Sequence, residues 1–312
     1  MNLAYDPTTG LVAPFFNGIF QGSAYGLLGL GIVLLYKSNR IFNFAQGEFA
    51  GVAALMAYML DTGASGMPKV PYFVAIFGGV ATAVLVALLT ERLVVRPMFN
   101  RARIVLVVGT VGVALLLIAA EGLLNKNISA LRPVDVVLGI DPVAFRVDRV
   151  PILWSGLLKL FALVALAIGA FLFFKLSPAG TAILAVSQDA TAARAVGISV
   201  ERISMLSWGL AGFCGGIAGV LLAVPPFSTT PGIFTGTILT TAFAAAVLGG
   251  ITSLPGAFVG GLGMGLVQAF ANSNLRLVPG FGSIQGSGEL AVAVFLLIVL
   301  LFRPRGLLGS EA

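Results

Sequence analysis

The stretch Gly249-Gly250-Ile251-Thr252-Ser253-Leu254-Pro255-Gly256-Ala257-Phe258-Val259-Gly260-Gly261 decides the reading of the chain. It carries no charge, is crowded with glycine, and lies between two apolar runs. A soluble domain rarely places so much backbone freedom there. A bilayer helix bundle uses small residues so that helices approach closely. The stretch therefore reads as a helix–helix corner built for membrane packing.

Composition extends that reading to the whole molecule. Of 312 residues, 58% are hydrophobic and 10% charged, against roughly 45–50% and about 25% in ordinary soluble domains. No segment between apolar runs is long enough to build a separate soluble core, so residues 1–312 read as one integral membrane domain. The net charge of +6 does not indicate nucleic acid, because Lys and Arg cluster between apolar runs, as charges that orient a membrane protein do. One cysteine, Cys214, and no histidine exclude an intrachain disulfide, a cysteine metal cluster, and histidine-dependent catalysis or metal ligation. Residues 1–10 carry Asp6 and no Lys or Arg; without the basic start of a cleaved signal peptide, the first apolar run is expected to be retained.

About 20 apolar residues cross the roughly 30 Å of hydrocarbon. On that scale the chain is an all-α polytopic bundle of eight to nine spans, near 14–36, 44–60, 72–90, 104–124, 152–174, 203–224, 232–248, 257–271 and 290–302, the last three being short. An N-terminus outside and a C-terminus in the cytoplasm put Lys37, Arg40, Arg92, Arg96, Arg101, Arg103, Lys175, Arg194, Arg202, Arg303 and Arg305 inside. The smaller set Lys69, Lys126, Arg132, Arg146, Arg149 and Arg276 stays outside, with Lys159 near the outer end of the fifth span. The outer segment 125–151 is either a small cap or strand pair, or a solvated loop. No internal repeat is visible.

Several patterns stand out. Gly18, Gly22 and Gly26 share a face of the first span; Gly212, Gly215, Gly216 and Gly219 mark the sixth, and Gly256, Gly260, Gly261 and Gly265 the eighth. Such faces pack helices, and sometimes wall a path. The second span opens with Asn43, Gln46 and Glu48; Asn43 and Gln46 are neighbours, while Glu48 is turned away and is expected to sit shallow, as a gate, an interhelix contact or a snorkelling side chain. Thr237, Thr240 and Thr241 in the seventh span either touch a solute or bond back to their own helix.

The segment 177–202 carries the clearest functional signal. Ser177-Pro178 starts a helix, 181–196 has an Ala-rich helical composition, Gly197 is a suitable stop, and Ser199 can cap the next span. A short helix across the cytoplasmic face is expected, offering Gln188, Asp189, Thr191 and Arg194 with small Ala190, Ala192 and Ala193 to a groove on a partner. A plain linker needs no helix with a glycine stop.

At these residues the chain resembles the permease subunits of branched-chain amino acid ABC importers, within a wider family that includes urea/amide and simple-sugar permeases. The likeness runs through Gly22-Ser23-Ala24-Tyr25-Gly26-Leu27, Arg40-Ile41-Phe42-Asn43-Phe44-Ala45-Gln46-Gly47-Glu48, Ala193-Arg194-Ala195-Val196-Gly197-Ile198, the corner quoted first, and Arg303-Pro304-Arg305-Gly306-Leu307-Leu308-Gly309. It implies a second permease subunit, making a heterodimer, with two ABC ATPases and an extracytoplasmic solute-binding protein. It also implies a coupling helix at Asp189 to Gly197 similar to the EAA loop of ABC importers, and a path weakly selective in itself. Thr191 stands where that loop has an acidic residue, the usual Leu-Pro is missing, and Thr241 precedes Ala242-Phe243 where many relatives have Lys.

The expected function is thus an ABC importer permease for branched-chain amino acids, or alternatively for urea, short amides or another small polar solute. Asn43, Gln46, Glu48, Thr237 and Thr241 are the candidate path or gate residues. The chain is expected to bind no cofactor, ATP and Mg belonging to partner subunits, since it has no Gly-x-x-x-x-Gly-Lys-Ser/Thr loop. An ion-coupled secondary transporter would place more ionisable groups deep in the bundle than Glu48, Glu121 and Glu289, all near predicted span ends. A membrane enzyme lacks its usual acid–base constellation here.

Overall fold

The computed structural model describes residues 11–99, 101–124, 143–222, 231–274, 286–304 and 306–309. Among these run eleven α-helices: α1 Val12–Asn39, α2 Gln46–Thr62, α3 Tyr72–Thr90, α4 Arg103–Leu124, α5 Trp154–Leu176, α6 Pro178–Gln188, α7 Ala190–Ala195, α8 Val200–Leu222, α9 Leu239–Gly249, α10 Leu254–Asn274 and α11 Ser287–Phe302. A π-helical turn, Phe234–Ile238, leads straight into α9 and the two form one unit, Phe234–Gly249. Each predicted apolar run carries a helix, although 44–45 precede α2, 152–153 belong to a strand and 223–224 lie outside the described residues. Six helices are long and apolar enough to cross a bilayer: α1, α3 continued to Met98, α4, α5, α8 and α10. α2, the α9 unit and α11 are shorter. The eighth run, expected to be short, is the full-length α10, because Ser253 accepts the Gly256 N–H at 3.1 Å and starts the helix ahead of Pro255.

α1 is the central post, with Gly22 to Leu35 buried throughout. It lies against α10 through glycine. A Cβ on Gly22 would meet the Gly261 carbonyl at 2.6 Å, and one on Gly18 would meet Leu266 Cα at 2.8 Å. On the other side Gly26 receives the Leu163 side chain of α5, at 2.9 Å from such a Cβ. α8 packs likewise on α3 and α2: Gly212 lies against Ala83 and Ala87, Gly216 against Ala83 and Val80 at 3.0–3.1 Å, and Gly219 on the Ala50 backbone. Close backbone approach of this kind replaces the hydrophobic drive that lipid cannot supply. The outward faces of α3, α4, α5 and α11 expose Phe77, Leu116, Phe161 and Leu301, apolar surface suited to lipid chains.

The opening stretch is a tight corner. α9 ends at Gly249, Gly250 takes φ 103°, and α10 begins at Leu254. Gly249 and Gly256 lie back to back, and Gly260 rests on the Ala245 carbonyl. The end of the chain closes the corner: Leu307 and Leu308 N–H groups donate to the carbonyls of Leu248 and Gly249 at 2.7 and 3.0 Å. These carbonyls end a helix and need outside donors. Gly306, at φ 80°, passes against Val247 and Gly250 where no side chain fits.

An antiparallel hairpin is the exception to the all-α reading. β1 Val143–Val147 pairs with β2 Val150–Leu153, Val147 opposite Val150, and Asp148 turns the chain at φ 54°. Of the segment 125–151 the described part is therefore a strand pair; residues 125–142, with Lys126, Arg132, Asp135 and Asp141, lie outside the described residues, as do Arg276 and Arg305.

Candidate functional site

Two regions of the bundle hold the residues that the sequence singles out. The first is at the α6–α7 turn. Ser177 caps α6, accepting the Gly180 N–H at 3.1 Å. The single helix expected over 181–196 is instead two, because Asp189 turns extended and caps α7, its Oδ1 accepting the N–H groups of Thr191 and Ala192 at 2.8 and 3.0 Å. Gly197, at φ 90°, stops α7, and Ile198 donates back to the Ala193 carbonyl at 3.0 Å.

Gln188, Asp189, Thr191, Ala192, Arg194 and Gly197 are exposed, and Val196 is 76% exposed. Ala193, expected on the offered face, is buried beneath it with Val186 and Val200, and Ala190 is half-buried. One face of so short a helix must anchor it. Arg194 reaches Glu201 of α8 at 2.8 Å. The Glu201 carbonyl in turn accepts from Arg96 at 3.2 Å, and Arg96 forms a two-point ion pair with the fully buried Glu91 at the end of α3. Arg96, expected only as an orienting charge, meets Glu91 five positions earlier because the π-helical turn Glu91–Val95 brings the two onto one face, which α-helical spacing does not show.

The second region surrounds the start of α2. α1 ends with Arg40 in the left-handed region, and the chain then runs without helix to Gln46. This stretch climbs into the bundle. The Gln46 amide lies against Gly31 of α1 and donates to the Ala211 carbonyl of α8 at 2.9 Å. Gly31 is about 12 Å up from Asn39, and Ala211 about 16 Å from Val200, at 1.5 Å per residue.

Unwound backbone at such depth needs internal partners. Asn43 accepts the Ala45 N–H at 3.0 Å and donates to Gln46 at 3.3 Å, while the Phe44 N–H donates to the buried Thr110 hydroxyl of α4 at 3.1 Å. Asn43 and Gln46 are thus fully enclosed polar braces, neighbours as their spacing predicted.

Glu48 is not shallow. It is fully buried, and its Oε1 accepts the Thr235 N–H at 3.1 Å. Its other oxygen faces Glu121 of α4 across Gly51; a Cβ there would meet Glu121 Oε1 at 2.5 Å and Glu48 Oε2 at 2.9 Å. Both carboxyls are expected near span ends, and their meeting is not readable from a helical wheel, which says nothing about where α2 begins.

Beside this core lies an open strip. Gly236, Thr237 and Thr240 of the α9 unit are exposed, and so is Phe44. The rings of Phe42 and Phe44 lie 5.9 and 5.2 Å from Phe243, with Tyr36 5.0 Å from Phe42. Thr240 and Thr241 bond back to Gly236 and Thr237 carbonyls at 3.1 and 3.3 Å, so their hydroxyls are satisfied within the helix. Thr241 faces inward, buried. The strip therefore combines aromatic rings and hydroxyls around an unwound chain at membrane depth.

Against known proteins, residues 15–302 match the model of the family described as branched-chain amino acid transport system / permease component. The chain is 29% identical over 304 residues to the high-affinity branched-chain amino acid transport system permease protein BraD of Pseudomonas aeruginosa, covering 94% of both. Identity is 29% over 318 residues to LivH of Escherichia coli K12, again with 94% of both covered. It is 27% over 302 residues to the probable permease protein LivH of Methanocaldococcus jannaschii, covering 95% of this chain and 91% of that one. The fold is similar to that of a chain in the solved structure of PsaBC from Streptococcus pneumoniae in complex with Fab, with TM-score 0.51 and 16% identity over 95% of this chain and 92% of that chain.

Proposed function

The chain belongs to the branched-chain amino acid transport system permease-component family, and from that premise we propose that it carries a branched-chain amino acid, with α7 as the lever that separate ATPase subunits move. It is a multi-pass membrane permease subunit of an ABC importer, and ATP hydrolysis lies in other subunits. Its neighbour is a different permease, an extracytoplasmic binding protein delivers the solute, and the α7 end of the bundle lies in the cytoplasm. The excess of Lys and Arg expected at that end supports the orientation.

One observation carries the lever: α7 is a helix with its own cap and its own stop, presented outward yet tied into the bundle by Arg194, Glu201 and Arg96. A ligand shifts a conformational equilibrium only through contacts that differ between the states. A nucleotide-driven partner seated on Asp189, Ala192 and Val196 has such a handle, and α8 and α3 are the elements it moves. The strip of Phe44, Phe243, Thr237 and Thr240 is then the face turned to the neighbouring permease. Its rings suit an aliphatic side chain and its unwound backbone suits the polar end of an amino acid.

A cysteine placed at Ala192, in a Cys214→Ser background, tests the lever in the assembled importer. Cross-linking to an ATPase subunit that changes with ATP is expected. Full uptake with no cross-link from Ala192 or Val196 positions to any ATPase overturns it.

A further inference from the structure

Two buried carboxyl groups among the described residues are unused by this reading. Glu48 on α2 is fully enclosed and Glu121 on α4 nearly so, at 4% exposure. Each uses an oxygen for the start of the α9 unit: Glu48 accepts the Thr235 N–H at 3.1 Å, and Glu121 accepts the Gly232 N–H. That helix start has no side-chain cap of its own. Its free N–H donors are therefore served by two other helices, and negative charge there is favoured by the helix dipole.

The remaining oxygens do not add up as two carboxylates. Glu48 Oε2 and Glu121 Oε1 are buried, have no hydrogen-bond donor among the described residues, and converge over Gly51. Among the described residues, the groups that face them are Gly51 on α2 and Thr235 and Gly232 at the α9 start, none of them a cation. Two ionised carboxylates accept only, so they repel across a buried gap. A single proton turns the same contact into a short, charge-assisted hydrogen bond. A divalent metal ion fits poorly, for among the described residues no third carboxylate or cysteine joins them.

We infer that Glu48 and Glu121 hold one proton between them, and that this proton-bridged pair caps the α9 unit and locks it to α2 and α4. Gly51 is the floor that leaves room for the pair, and Gly47, where a Cβ would lie 2.8 Å from the buried, unpartnered Thr235 hydroxyl, lets the α9 start come close. The lock sets the position of the turn that carries Gly236 and Thr237.

The test uses the purified full chain in lipid nanodiscs, so it does not depend on transport. Infrared difference spectra between the wild type and Glu121→Gln, and separately Glu48→Gln, are expected to show the carbonyl stretch of a protonated carboxylic acid present at neutral pH in the wild type and lost in each variant. Absence of that band from both differences overturns the inference. Thermal unfolding supplies the second arm. Glu121→Gln, which can still donate to Glu48, is expected to unfold near the wild-type temperature, and Glu121→Ala several degrees lower. Should Glu121→Ala fail to fold, the infrared comparison still decides. Exchanging sodium or potassium for choline at constant ionic strength is expected to leave the wild-type unfolding temperature unchanged; a saturable rise with the metal ion would replace the proton with a cation and overturn the inference.

Discussion

At Asp189 a single oxygen decides whether α7 exists. Six residues are too few for a helix to persist without a cap, and Asp189 supplies two hydrogen bonds to its first turn. Asp189→Ala is expected to cost about 1 kcal/mol of local helix stability and to weaken stimulation of the partner ATPase by the delivered solute, measured in proteoliposomes, while membrane insertion is unchanged. Gly197→Leu forces a branched side chain into φ 90°, a strain of about 1–3 kcal/mol, and is expected to abolish uptake with the chain still inserted. Gly51→Ala is expected to lower the unfolding temperature, because its methyl group enters the contact between Glu48 and Glu121 at a cost of about 1–3 kcal/mol. Gly112→Ala, with open space around it, serves as the control. The caps at Ser177 and Gly197 were legible in the sequence because capping is a local affair. The break at Asp189 was not, because the Ala-rich composition on both sides suits a continuous helix equally well.

At the scale of helices, two kinds of join hold the bundle. Glycine faces allow contact along whole helices, as between α1 and α10; ends are tied by donors from distant segments, as Leu307 and Leu308 tie α9. Gly22→Leu and Gly260→Leu are therefore expected to leave no stable folded chain in detergent, whereas Gly169→Leu, on the open face of α5, is tolerated; fluorescence-detected size exclusion separates the outcomes. The glycine faces could be read from spacing alone. The tail's role could not: Gly306-Leu307-Leu308 carries no periodic signal, and its partners are carbonyls nearly sixty positions earlier. The depth of α2 was likewise hidden, since only the contacts of Gln46 with α1 and α8 reveal that the preceding stretch re-enters the bundle.

Taken whole, the molecule has a glycine-packed post, a short capped helix, α7, presented outward, and an exposed strip around an unwound chain, joined through α8 and α3. Composition and hydrophobic length located the nine apolar helical runs, since bilayer thickness leaves few choices; α6 and α7 came from caps and Ala content, as one helix rather than two, and which faces meet was set by pairings that one sequence does not display. In the proposed coupling, this permease does no work by itself and is moved at α7 by nucleotide-driven partners. The most direct measurement is uptake of radiolabelled leucine into proteoliposomes, comparing the chain alone with the chain plus its partner permease, ATPases and loaded binding protein, each with wild type and Gly197→Leu. Accumulation is expected only in the complete wild-type set with ATP; accumulation against a gradient by the chain alone, or undiminished accumulation with Gly197→Leu, would contradict the account.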